Sequence, residues 1–277
     1  MKTDKRNKKV IYYKDLLNDD FAGTNIKEKR VDGKYKYIHK NIFWRLGSFL
    51  FYHIFAFPFL AFYVRFIAGV RFKYENKKEL KALKSKYFLY GNHTGVIDAY
   101  IPSMIAFPRK SRIITSPDAV AIKGVASAAR LLGALPVPTT TTAYKNFINA
   151  IEYYYNTRSP IVIYPEAHIW PYYTDIRPFV DTSFSYPIKL NAPVVAFVTT
   201  YKQPTNKLHK TKRTVYISKP FYPDPEKSVK EARKELRDKV YNWMKETVTK
   251  YSTYNYIEYI KVENEEEVTK EVDIEKI

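Results

Sequence analysis

The sequence predicts an α/β domain behind an N-terminal, membrane-associated helical segment. Two observations carry that expectation. From about Lys84 onward, short apolar runs alternate with stretches of helical periodicity, and Leu46 to Val64 forms 19 consecutive residues without Lys, Arg, Asp or Glu. At 277 residues and 45% hydrophobic content the chain can bury a substantial core, as one main domain with an appendage. The expected division is a basic N-terminal arm over 1–41, an apolar helix or hairpin over 42–70, the main domain over 71–255 and an acidic tail over 256–277.

The elements follow in order. Residues 1–40 mix basic clusters (Lys5, Arg6, Lys8, Lys9, then Lys27, Lys29, Arg30) with Tyr pairs and acidic points, the pattern of a flexible or peripheral arm. The apolar run would extend roughly 28 Å as a straight helix at about 1.5 Å per residue, close to the ~30 Å hydrocarbon thickness of a bilayer. Pro58 sits in its middle and removes a backbone donor. Basic residues flank both ends, so charge bias selects no orientation. A bent helix or short hairpin dipping into one leaflet is the expectation; a buried helix of a soluble core is the alternative.

Strand-like runs follow at Tyr87 to Tyr90, Arg112 to Thr115, Ala134 to Val137, Ile161 to Tyr164, Val194 to Thr200 and Thr214 to Ile217, with helical stretches near Ile97 to Ala106, Ala119 to Leu132 and Thr142 to Tyr155. Asp224 and Pro225 read as N-cap and first position of a last helix. Its apolar stripe is Val229, Ala232, Leu236, Val240, Trp243 and Val248. The final 17 residues hold seven acidic and three basic groups and read as a disordered tail.

A formal net charge of +19 favours phosphate-rich partners: nucleic acid, an anionic bilayer or a polyanionic cofactor. Abundant Lys, Tyr, Asn and Ile also fit a general coding bias that selects no ligand. No nucleic-acid-binding module is recognisable, and such binding leaves the apolar segment unexplained, so no nucleic acid is expected. The absence of cysteine excludes disulfides, thiolate metal sites, iron–sulfur clusters and a Cys nucleophile, and suits a reducing compartment. A phosphate loop, a His-Glu-x-x-His metal motif and a Gly-x-Ser-x-Gly elbow are missing as well, and no metal site is expected.

The chemistry concentrates in Gly91-Asn92-His93-Thr94-Gly95-Val96-Ile97-Asp98, directly after one strand and at the opening of a helical stretch. Binding and catalytic groups gather at the carboxyl ends of strands in open α/β sheets. The two glycines let the backbone turn tightly, and a chain curling from loop into helix brings Asp98 back toward His93. The carboxylate would fix the imidazole tautomer, leaving a group that titrates near neutrality, at about 6.5 in reference peptides, to take a proton from a hydroxyl. A loop His merely satisfied by a nearby Asp is the plainer reading of the pair taken alone.

Asn92-His93 followed by four residues and Asp98 resembles the first signature block of the glycerolipid acyltransferases, the family containing lysophosphatidic acid acyltransferase. Leu132-Gly133-Ala134-Leu135-Pro136-Val137 is similar to the second block, Tyr164-Pro165-Glu166 to the opening of the third, and Ala192-Pro193-Val194-Val195 to the fourth. The resemblance implies a mixed, largely parallel sheet flanked by helices, and transfer of a fatty acyl group from acyl-CoA or acyl-carrier protein to a hydroxyl of a lysophospholipid-like acceptor. It implies no bound cofactor, membrane lipid as partner, and a membrane-associated protein with its catalytic domain on the cytoplasmic side. His93 would be the base and Asp98 its partner, with Asn92 and Glu166 placing the acceptor. Backbone donors around Gly91 and Gly95 would face the developing oxyanion.

Two cations usual in phosphate-accepting relatives are absent. Pro138 and Thr139 to Thr142 follow the second block, and Ala167-His168-Ile169 stands where the third usually continues Gly-Thr/Ser-Arg. Arg130, Lys123, His168 or Arg177 would then supply charge to the acceptor, Arg177 first because a guanidinium grips phosphate in a bidentate manner; otherwise the acceptor differs. Trp170, Tyr172 and Tyr173 could rim the site or simply pack. Arg109, Lys110 and Arg112 could meet an anionic headgroup or donor phosphates, or form a solvated charge run.

Overall fold

The computed structural model describes residues 9–22, 30–121, 125–205 and 209–262. Lys123, most of the basic clusters of the arm and the greater part of the acidic tail lie outside the described residues. Seven strands form the main sheet: β2 (Arg71–Tyr74), β3 (Phe88–Gly91), β4 (Arg112–Thr115), β5 (Ala134–Pro136), β6 (Ile161–Ile163), β7 (Val194–Lys202) and β8 (Lys212–Phe221), in the spatial order β2-β8-β7-β3-β6-β4-β5. Every pairing is parallel except β7 with β8, so the sheet is mixed and largely parallel, flanked by helices.

Side chains alternate across a strand with a period of two, and here both faces are covered. Phe88 and Tyr90 of β3, Ile161 and Ile163 of β6, and Val194, Ala196 and Val198 of β7 enter one core. Leu89, Val162, Val195 and Phe197 enter the other. Helices α4 (Val125–Leu132) and α6 (Ser185–Lys189) lie in the connections that lead into β5 and β7, and the first core lies under α5 (Thr141–Asn156) and α7 (Val229–Tyr251), through Phe147, Ala150, Ile151 and Tyr154 on the one and Leu236, Val240, Met244 and Val248 on the other. The stripe on α7 passes through Met244; Val229 is exposed in the first turn, and Trp243 is only partly covered, donating to Glu75. The helix also starts later than Asp224-Pro225 suggests. Ser228 is the cap, accepting from the Glu231 amide while the Glu231 carboxylate takes the Ser228 N–H, a reciprocal box that Asp224 has no partner to form.

The second core is closed by α2 (Lys77–Ala82), α3 (Ile101–Ala106) and the last turns of α1 (Ile42–Ile67). A single continuous helix of 26 residues, α1 is neither bent back at Pro58 nor folded into a hairpin. By length and composition it could cross a membrane, yet little of it is buried. Ser48, Tyr52, Leu60, Val64 and Ala68, all buried, recur at multiples of four. A regular α-helix would rotate that row by about 40° every four residues. Wider turns absorb the drift: the Phe57 amide donates to Tyr52 O and the Ala68 amide to Tyr63 O, both five residues back. Pro58 lies just after the first wide turn, where the missing donor is tolerated. The rest of the circumference, including Phe43, Phe55, Phe59, Phe62 and Phe66, faces outward.

The arm, read as flexible or peripheral, instead pairs with the first residues of the acidic tail; the disordered reading of the last 17 residues falls almost wholly outside the described residues. Strand β1 (Lys9–Tyr13) runs parallel to β9 (Ile257–Lys261), and Ile11 and Ile257 pack with Tyr172 and Tyr201. Residues 30–40 are also held: Val31 bonds to Thr139 in both directions, and the Tyr37 hydroxyl donates to Pro136 O. Strand Arg71–Tyr74 escaped the sequence pattern because its burial is shallow and its charges alternate with aromatics.

Gly91 closes β3 opposite Phe197, and a Cβ there would lie 2.2 Å from Cζ of that fully buried ring. The glycine therefore answers a close approach across the sheet, where a turn was expected. Gly91→Ala is expected to cost about 1–3 kcal/mol by overpacking, measurable as a lowered thermal midpoint.

Candidate active site

The neighbouring strands β3 and β6 send their chains apart. From β3 the path runs to β4 through the turn Val96–Ala99 and α3, on the face of Leu89 and Phe197. From β6 it runs to β7, on the other side of β3, through a loop whose Ile176, Phe179 and Phe184 cover the opposite face. Such a divergence opens a crevice at the carboxyl ends of the strands, and His93 and Glu166 stand on its two sides.

His93 Nδ1 lies 3.2 Å from Asp98 Oδ2. The Asp98 side chain is fully buried, and the same oxygen accepts the amides of Thr94 at 2.5 Å and Gly95 at 2.9 Å. A carboxylate gripped by two fixed amides cannot swing away, so the imidazole is oriented by the backbone that carries it. The expected single helix from Ile97 is broken into a tight turn and α3. Pro102 contributes to that break and to the site. It offers no amide to Asp98 O four residues back, and this carbonyl instead accepts the Tyr164 hydroxyl at 2.5 Å. The Tyr164 ring then stacks on His93, with centroids 4.5 Å apart and planes at 21°. The sequence marks Tyr164 only as the end of a strand and the opening of its block; the strand itself closes one residue earlier, at Ile163. With Nδ1 committed to Asp98 and 17% of the side chain exposed, Nε2 is the nitrogen open to a substrate.

The glycine amides have other work than an oxyanion hole. Gly95 N is spent on Asp98, Gly91 belongs to the strand ladder, and His93 N donates to Glu166 Oε2 at 3.1 Å. Asn92 was expected to place the acceptor. Its buried amide instead donates to Thr199 O at 3.1 Å and accepts from Thr199 N at 2.8 Å, extending the β3–β7 seam by one side chain. The Thr94 hydroxyl accepts from Tyr201, and the carbonyls of His93 and Thr94 accept the amides of Trp170 and Tyr172. The loop is thus held on three sides.

Glu166 is buried, its two oxygens taking the amides of His93 and Arg177. Burial raises its pKa above the ordinary carboxylate range, opposed by the Arg177 charge and the two amides. Arg177 is completely buried beside it, with Nη2 3.6 Å from Oε2. The guanidinium also donates to the carbonyls of Glu166 at 3.1 Å, Leu16 at 3.2 Å and His168, and lies 5.0 Å from the Trp170 ring. The expectation that Arg177 grips an acceptor phosphate is therefore corrected: a guanidinium sealed against carbonyls and a carboxylate has no face left for one. His168 points to Asp20 at 3.5 Å, and Arg130 lies at the head of β5, the end of the sheet away from His93. Trp170 and Tyr172 are buried in an aromatic cluster with Tyr13, Phe21, Tyr201 and Tyr259, so packing accounts for them.

Ala167 has φ +63°, the left-handed region that favours glycine. There a Cβ costs roughly 1–2 kcal/mol, partly offset because glycine loses more freedom on folding. Ala167→Gly is expected to raise stability by about 0.5–1 kcal/mol, read from the thermal midpoint. Arg177→Ala, which strands a buried carboxylate, should lower stability by about 3–5 kcal/mol in urea unfolding. A phosphate-gripping arginine would instead leave the fold intact and weaken acceptor binding.

Residues 71–200 match the Acyltransferase family model. Among solved structures the chain is similar to the crystal structure of the 1-acyl-sn-glycerophosphate (LPA) acyltransferase PlsC from Thermotoga maritima, at 18% identity and a TM-score of 0.52, over 76% of this chain and 89% of that one. No curated protein matches the sequence. The matched region runs from β2 into β7 and holds His93, Asp98 and Glu166 on the loops of the diverging strands; residues 71–200 form an Acyltransferase domain, and the protein is an acyltransferase.

Proposed function

We propose that the protein transfers a fatty acyl group from an acyl thioester, acyl-CoA or acyl-carrier protein, to a hydroxyl of a lysophospholipid-like acceptor at a membrane surface. The observation that carries the proposal is the imidazole anchored through Nδ1 to a carboxylate that its own loop holds rigid. In this reading Nε2 takes the acceptor's hydroxyl proton as its oxygen attacks the thioester carbonyl. The C–S bond of the tetrahedral adduct then breaks, and the leaving thiolate recovers that proton from the imidazolium. No acyl-enzyme is formed, in keeping with a chain that has no cysteine.

Delivery of a water-insoluble substrate fits the placement of α1. Tyr63 meets Tyr100, two residues after Asp98, edge to face at 6.1 Å. Phe59, Phe62 and Phe66 on the same end of the helix, and Val96 on the catalytic loop, are exposed. An apolar surface of this extent on a monomer marks contact with lipid or a partner. Because one row of α1 packs along the domain, a helix lying in the interface keeps the catalytic crevice at headgroup depth. The likeness in fold to PlsC supports a phospholipid acceptor, and the cytoplasmic side of the membrane is the proposed location.

Incubating the purified protein with a labelled acyl thioester and a panel of lysophospholipids should yield labelled diacyl product. His93→Ala should reduce kcat by about 10²–10⁴-fold, the usual share of a general base, with an unchanged thermal midpoint; retention of near-normal turnover would refute the role. Phe59→Glu with Phe66→Glu should shift the protein from the membrane to the soluble fraction in flotation, since each charge at the apolar face costs about 2–3 kcal/mol at bilayer depth.

A further inference from the structure

A second basin lies at the other end of the sheet. In the sheet register Arg112, which opens β4, is level with Ile161 and so with Phe88, the first residue of β3. From there to the end of β3 is roughly 10 Å at about 3.3 Å per residue, and the loop bearing His93 lies beyond. Around Arg112 a cavity of about 680 Å³ opens between the first turns of α1, residues Tyr35 to His39, the heads of β4 and β5 and the end of α5. Among the described residues, Lys36, Arg45, Arg109, Lys110, Arg112 and Arg130 line it, and no Asp or Glu does.

Six cations around one cavity without a counter-charge repel one another, and several are in addition withdrawn from water. Arg112 lies 3.8 Å from the Tyr154 ring and Arg130 5.1 Å from that of Tyr35. Nε of each is buried without a hydrogen-bond partner, as it also is in Arg177, Arg213 and Arg237 away from the cavity; what sets this cavity apart is the number of cations gathered around it. Lys110 donates to Ser48 Oγ and Leu131 O, and burial, assisted by Arg112, pushes its pKa down to about 7. An anion in the cavity would supply the missing acceptors and relieve the repulsion. The wall toward α1 shows what carries that anion. Ile42, Leu46 and Phe49 line the same cavity and are exposed, at the start of the apolar face of α1.

We propose that this cavity binds the phosphate of an anionic phospholipid headgroup, with the lipid's acyl chains lying along the first turns of α1. The site is separate from the catalytic crevice and docks the enzyme on anionic membrane without consuming the lipid. It also gives the net charge of +19 a local purpose, because it collects cations where the apolar helix meets the domain.

The test is co-sedimentation of the full chain with phosphatidylcholine vesicles, with and without phosphatidylglycerol, at fixed ionic strength. Arg112→Gln with Arg130→Gln should weaken binding to the anionic vesicles by about 10- to 30-fold, from about one kcal/mol per cation near such a surface, and leave binding to pure phosphatidylcholine unchanged. Lys230→Gln with Lys234→Gln removes the same charge from exposed positions on α7, a helix that does not line the cavity, and should change either affinity by less than about threefold. Equal losses from the two pairs would reduce the effect to net charge and overturn the proposal. Arg130→Gln alone, which keeps the Arg112–Tyr154 stack, should show part of the loss with an unchanged thermal midpoint; wild-type affinity in a folded Arg130→Gln protein would overturn it too. Soluble short-chain phosphatidylglycerol should raise the thermal midpoint more than inorganic phosphate does. Equal protection by inorganic phosphate would overturn the assignment to lipid.

Discussion

The site depends on one buried carboxylate. Glu166 receives the amide of His93 from the loop after β3 and the amide of Arg177 from the loop after β6, with the guanidinium alongside. Those loops leave the sheet toward opposite faces, and their backbones have no strand ladder in common. The carboxylate joins them from within, beside the two backbone bonds from Trp170 and Tyr172 to His93 and Thr94. Burying a carboxylate and a guanidinium is costly, and such pairs seldom add net stability over apolar packing. Here the return is geometric. With His93 N fixed from one side and Asp98 fixed by Thr94 and Gly95 from the other, the imidazole has little freedom left to lose when a substrate arrives.

Much of this was legible in the sequence, for identifiable reasons. Six of the seven strands stand out as short apolar runs, most clearly β3, β6 and β7, which are covered on both faces. The His93–Asp98 pair was legible because both partners sit on one short loop, where spacing limits geometry. Long-range partnerships were opaque. Nothing near Asn92 announces that its amide completes the seam with Thr199, and nothing near Arg177 announces that Glu166, His168 and Leu16 engage its terminal nitrogens. Charge alone made Arg177 look like a substrate ligand; burial made it a strut. Arg130, grouped with the acceptor by chemistry, was carried to the far end of the sheet by a connection whose direction only the strand order reveals.

The departures from the family pattern acquire physical content in the same way. Ala167 replaces a glycine usual in relatives yet keeps a left-handed backbone, so the loop tolerates a strained residue to hold Glu166 in place. The Thr run after β5 is turned toward the segment around Val31, where Thr139 bonds its backbone. Neither stretch presents a cation to the loop that carries His93.

The pairing of β1 with β9 imposes an order of events during translation. Lys9–Tyr13 leaves the ribosome first but finds its mate only after Ile257–Lys261 has been made, and contacts so distant along the chain form late. Leu16, whose carbonyl caps Arg177, is tethered to that strand. The apolar helix, synthesised long before, can reach lipid while the catalytic loop is still unfastened. A nascent chain of this protein would thus settle on its membrane before it becomes competent to acylate anything there.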